Sequence, residues 1–150
     1  MQGIKRNVLL TLMMLIFGTF AAFAADPKDS DAVDSSQSAY WEQVMDAIIQ
    51  VESNGNSKAK SGSSVGAMQI TPLLVAECNN ILRSRKSKKR YKLSDRLSVM
   101  KSKEMFLLIQ SKYNPLRNIE QAIRSWNGGI HYSVKRTQRY FERVLKVMKS

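Results

Sequence analysis

The sequence predicts a mainly α protein, built as a single compact helical domain. Apolar residues recur at three- and four-residue intervals in five separate stretches, and helix-start residues precede several of them. No stretch shows convincing alternation of apolar and polar positions, and no internal repeat is present.

Trp41, Val44, Met45, Ile48 and Ile49 define the first helix. Thr71 followed by Pro72 suits the start of a second, whose Leu74, Cys78 and Leu82 share one face. Ser98 opens a third, with Met105, Phe106 and Ile109 apolar, and Asn114-Pro115 stops it. Asn118 precedes Ile119, Ala122, Ile123 and Trp126 at helical spacing, and Gly128-Gly129 closes this fourth helix. The last runs from about Thr137, with Tyr140, Val144 and Met148 along one stripe.

The chain start has a different character. Lys5 and Arg6 precede the apolar run "VLLTLMMLIFGTFAAFA", and Ala22-Phe23-Ala24 fits a small-residue cleavage site. Residues 1–24 therefore read as a signal peptide, and an exported protein of the periplasm or cell envelope is expected. The alternative is an uncleaved anchor, since Val8 to Ala25 is just long enough to span a membrane. Residues 25–38, rich in Asp and Ser, read as a flexible polar spacer, which leaves 39–150 as the folded domain.

The formal net charge is +12, of which Lys5 and Arg6 supply two. Such an excess favours an anionic partner, and outside the cytoplasm the candidates are cell wall, anionic lipid or lipopolysaccharide, and DNA. One cysteine excludes an intramolecular disulfide framework; with only one histidine, a zinc site is not expected either. Neither a metal nor a cofactor is called for. From Arg83 to Lys92, "RSRKSKKRYK" holds seven basic residues in ten. This block is expected to be solvated and mobile, and suited to holding anionic envelope polymers. Its one aromatic, Tyr91, is too little for a nucleic-acid stacking platform.

The most informative residue is Glu52. It follows Ile49 and Ile48 by three and four residues, so it continues the apolar stripe of the first helix. Partial desolvation there disfavours its ionised form, and so does the dipole at the helix C-terminus. A carboxyl that keeps its proton near neutral pH is a general acid. The loop that follows adds Gly55, Gly62 and Gly66 for tight turns, and Ser53, Ser61 and Gln69 for hydrogen bonds. On spacing alone, a carboxylate that merely ends an amphipathic helix explains the pattern equally well.

Four segments, "VES", "SSVGAMQITP", "SWNGG" and "RYFERVLKVM", resemble in order the motifs of the soluble lytic transglycosylase domain family, within the lysozyme-like superfamily. The resemblance runs from about Trp41 to Met148. It implies a lysozyme-like α+β domain with a catalytic cleft, acting on peptidoglycan glycan strands. By the same resemblance Glu52 matches the sole catalytic acid/base, and Ser53 the neighbour that orients it or the substrate. Met68 and Gln69 match glycan-contacting positions, Asn127 the asparagine of the third motif, and Tyr140 a tyrosine whose hydroxyl approaches the glutamate. Trp126 stands where a tyrosine is usual and retains the ability to stack on a sugar. Ala67 replaces the usual leucine, and Ser125 and Gly128 replace two alanines. Residues 81–103 have no clear counterpart.

The implied reaction is cleavage of the β-1,4 bond between N-acetylmuramic acid and N-acetylglucosamine, leaving a 1,6-anhydro end. A muramidase is the nearest alternative; it would need Asp95, Glu77, Glu104 or Glu120 as a second carboxylate. A cysteine-peptidase dyad of Cys78 and His131 is another class, although Cys78 lies on an apolar helix face. A non-catalytic protein that binds wall or DNA is the third. A monomer is expected, and exported enzymes of this kind often serve secretion, conjugation or phage machinery.

Overall fold

The computed structural model describes residues 35–150. The expected signal peptide, and the expected spacer up to residue 34, lie outside the described residues. Five α-helices follow one another: α1 (Ser35–Ser53), α2 (Pro72–Ser84), α3 (Val99–Tyr113), α4 (Ile119–Gly128) and α5 (Val134–Met148). Two short strands, β1 (Lys60–Ser61) and β2 (Ser64–Val65), form an antiparallel hairpin between α1 and α2, with Lys60 opposite Val65. A 3-10 helix, Leu93–Leu97, leads into α3.

α1 packs against α3, α4 and α5. Its Trp41, Val44, Met45 and Ile48 are buried, as the apolar stripe requires. They meet Met105 and Phe106 of α3, Ala122 and Ile123 of α4, and Tyr140 and Val144 of α5 in one core, to which α2 adds Val75, Cys78, Ile81 and Leu82. Each large side chain fully buried this way stabilises the fold by roughly 1.5–3 kcal/mol. The Trp41 ring meets Phe106 edge-on at 5.7 Å, and Phe106 in turn meets Trp126 at 5.2 Å. Aromatic packing thus runs unbroken from the middle of the core to α4.

Each helix after α1 opens on a side-chain cap. Thr71, Ser98, Asn118 and Ser133 accept from the backbone N–H groups of Leu74, Lys101, Gln121 and Arg136. Such a cap contributes about 1 kcal/mol. Two helix boundaries and one element differ from the sequence expectation. α1 begins at Ser35, inside the expected spacer, because a helix anchored at Trp41 extends its backbone ladder outward without needing more apolar residues. α5 begins at Val134, three residues ahead of Thr137, because Ser133 supplies the cap. The hairpin was not anticipated, since strands of two residues are too short to show alternation.

The basic segment from Arg83 to Lys92 is solvated but not loose, which corrects the expectation of a mobile block. The Asn79 side chain clamps it, accepting from Tyr91 N–H at 2.8 Å and donating to Tyr91 O at 2.9 Å. Tyr91 is buried, and its hydroxyl donates to Glu104, which also pairs with Lys89 at 2.8 Å.

Candidate active site

The end of α1 is built to stop one residue past Glu52. Asn54 and Gly55 both take left-handed backbone, with φ of 55° and 82°, and Asn54 N–H bonds to Gln50 O. Ser53 Oγ lies 2.8 Å from Ala67 O and 3.2 Å from Ile49 O, so its hydroxyl ties the helix end to the turn after the hairpin. That turn, Gly66 to Gln69, is closed by a pair of backbone bonds between Val65 and Ile70. Gly66 is required there. Its φ is 86°, and a Cβ at this position would fall 1.8 Å from the Arg96 carbonyl oxygen. Arg96 fastens the turn from the other side, donating from one guanidinium nitrogen to Ser63 O and Ile70 O.

These elements enclose a cleft of about 260 Å³ lined by Glu52, Ser61, Ser64, Gln69, Thr71, Leu74, Trp126 and Asn127. Glu52 is its one carboxylate. Tyr140, buried on α5, donates from its hydroxyl to Glu52 Oε1 at 2.7 Å. Burial raises the Glu52 pKa above its ordinary value, while the Tyr140 hydroxyl and the charge of Arg143 partly oppose the shift. Burial thus shifts the balance toward the protonated form, and a donor stands ready to hold the carboxylate once the proton leaves. The Tyr140 hydroxyl is itself held protonated, by burial first and by the Glu52 charge second.

Gln69 has a left-handed backbone, φ 51°, and its amide nitrogen donates to Gly66 O at 2.9 Å. Its amide oxygen remains available as an acceptor. Non-glycine residues held in this region cost on the order of 1–3 kcal/mol, and such strain concentrates at functional sites. Trp126 donates its indole N–H to Met68 O at 3.1 Å, so the ring is fixed at the cleft edge with its polar atom already committed. Asn127, the next residue on α4, is exposed at the same edge.

Of the residues named from sequence, Glu52, Ser61, Gln69, Trp126 and Asn127 line the cleft and Tyr140 stands behind Glu52. Met68 does not fit its expected glycan contact. It is 0% exposed and belongs to the core, because the turn that presents Gln69 points its predecessor inward. Ser53 acts on the backbone of the turn and is not among the lining residues. Sequence reading missed Ser64, Thr71 and Leu74 in the lining, and Arg143. The last had a signal, since it follows Tyr140 by three residues on one helix.

The alternative chemistries find no support in the geometry. Glu77 is bound by Lys112 and Tyr113, Glu104 by Lys89 and Tyr91, Glu120 by Arg124, and Asp95 accepts from Lys92 N–H. None of the four lines the cleft with Glu52. Cys78 is 0% exposed, and burial pushes its thiol pKa up to about 12, so it is no nucleophile; His131 is exposed. Among the described residues, no three His, Cys, Asp or Glu side chains gather where a metal ion would sit.

A protein-family model described as "Transglycosylase SLT domain" matches residues 29–146. No curated protein sequence matches the chain.

Proposed function

The chain belongs to the transglycosylase SLT family, and from that premise we propose that it is a peptidoglycan lytic transglycosylase working through Glu52 alone. Membership implies peptidoglycan as the substrate class. The observation that carries the finer reading is a half-buried carboxyl with its pKa raised, held by a buried tyrosine in a cleft with no second carboxylate.

In the proposed reaction the Glu52 carboxyl protonates the glycosidic oxygen between N-acetylmuramic acid and N-acetylglucosamine. The C1–O bond breaks, and the neighbouring N-acetyl group of the substrate stabilises the anomeric carbon. The Glu52 carboxylate then takes the proton of the muramyl C6 hydroxyl, whose oxygen closes the 1,6-anhydro ring on C1. No water is consumed and Glu52 ends as it began. General acid–base help of this kind contributes about 10²–10⁴-fold. Tyr140 holds the carboxylate between the two transfers. Gln69 and Asn127 offer amide groups to the sugar, and the half-buried Trp126 offers a ring edge.

The expected place of action is the periplasm or cell envelope, where the substrate lies and to which residues 1–24 would direct the chain. The exposed cations Lys86, Lys88 and Lys92 would assist retention on anionic envelope polymers. A monomer suffices for this site, and a machine that crosses the wall, for secretion, conjugation or phage entry, is the kind of partner such local opening would serve. The test is digestion of purified sacculi. Wild-type protein should release soluble muropeptides, and Glu52→Gln should release none while retaining its helical circular dichroism. Release by Glu52→Gln at the wild-type rate would overturn the assignment.

A further inference from the structure

α5 carries more than Tyr140. Arg136, Arg139, Arg143 and Lys146 follow one another at intervals of three, four and three residues, which places them in one row along the helix. All four are exposed, and none makes an ion pair among the described residues. Glu142, the one carboxylate of α5, borders the row at three residues from Arg139 and four from Lys146, and it accepts from Gln138 at 2.8 Å. None of the four lines the cleft, but the row passes beside the tyrosine that stands behind it. Arg136 and Arg143 flank Tyr140 on the helix surface, the Arg143 guanidinium lies 5.8 Å from the centre of the Tyr140 ring, and Tyr140 touches Glu52.

A row of exposed cations suits an anionic partner, and its place beside Tyr140 brings it near a glycan strand lying in the cleft. We propose that the α5 row is a binding surface for the carboxylates of the peptide stems carried by that strand, so that stem-bearing glycan is preferred over glycan stripped of its peptides. The inference rests on the proposed peptidoglycan substrate. The muramic acid that would occupy the cleft bears its peptide on the lactyl group, and each stem presents several free carboxylates. From Arg136 to Lys146 the row spans about 15 Å, the reach of four or five extended peptide residues at roughly 3.3–3.6 Å each. Guanidinium groups suit carboxylates because their paired N–H donors match the two oxygens. Nucleic acid fits less well, since the large aromatic exposed among the described residues is Tyr40, on α1.

The test uses binding. In the Glu52→Gln protein, affinity is measured for soluble glycan strands with their stems and for the same strands after amidase has removed them. Three exposed cation–carboxylate contacts predict on the order of tenfold tighter binding of the stem-bearing strands, weakening as salt is raised. Adding Arg136→Gln, Arg139→Gln and Lys146→Gln should bring the ratio to within about twofold, with an unchanged melting temperature as the check on folding. Equal affinity for both strands in the parent protein would overturn the proposal. So would a preference that survives the triple substitution, or an equal loss of binding to stripped strands. Tighter binding of duplex DNA, abolished by the same substitutions, would reassign the surface to nucleic acid. Turnover plays no part in this readout: wild-type protein that leaves reducing ends overturns the proposed reaction, while the binding ratio still decides the α5 surface.

Discussion

Glu52 is pulled in two directions. Burial holds its proton on, while Tyr140 and Arg143 stabilise the charged form. The balance lies above the ordinary carboxylate value, so ionisation costs the folded state. That cost is fully present once the pH exceeds the raised folded pKa, and it is lost below about pH 4, where the unfolded carboxyl is protonated too. Glu52→Gln should therefore stabilise the protein by about 1 kcal/mol at pH 7, seen in melting temperature, with the gain disappearing near pH 3. Tyr140→Phe removes a hydrogen bond to a charged group, worth about 1.5–3 kcal/mol. It should slow turnover roughly 10- to 100-fold and move the alkaline limb of the kcat/KM profile to higher pH, because the carboxylate loses a stabilising donor. An unmoved limb would separate Tyr140 from the acid. At this scale the sequence was legible as to placement, since Glu52, Gln69 and Asn127 line the cleft and Tyr140 reaches Glu52. Met68 was misread because periodicity does not tell which residue of a closed turn faces the cleft and which the core.

The cleft exists because the end of α1, the hairpin turn and the 3-10 helix are locked together. Ser53 holds the turn to α1, Arg96 holds it to the 3-10 helix, and Gly66 permits the contact with the Arg96 backbone. Gly66→Ala adds left-handed strain of about 1–3 kcal/mol and overpacking of about 1–3 kcal/mol. A lowered urea midpoint should report the loss, with activity falling alongside as Gln69 shifts. Helix positions were readable because the caps Thr71, Ser98 and Asn118 and the stops at Asn114 and Gly128-Gly129 are local signals. The hairpin, the clamp of Asn79 on Tyr91 and the Arg96 buckle were not. The hairpin strands are too short to alternate, and the partners of Asn79 and Arg96 lie from 12 to 33 residues away in sequence, beyond any periodic pattern.

Across the whole molecule, one core sets the distance between α1, which carries Glu52, and α5, which carries Tyr140. Trp41 lies in that core against Phe106, which meets Trp126 near the cleft. Trp41→Ala should cost about 3–5 kcal/mol of stability in chemical denaturation, and the surviving folded protein should lose activity beyond the loss of folded fraction. The central claim, however, is chemical: one carboxyl gives and then receives the proton, and the sugar's own hydroxyl takes the place of water. The most direct measurement is the mass of the muropeptides released from purified sacculi. The account predicts products lighter by one water than hydrolysed ones, carrying 1,6-anhydro ends, from wild-type protein and none from Glu52→Gln; products with only reducing ends would contradict it.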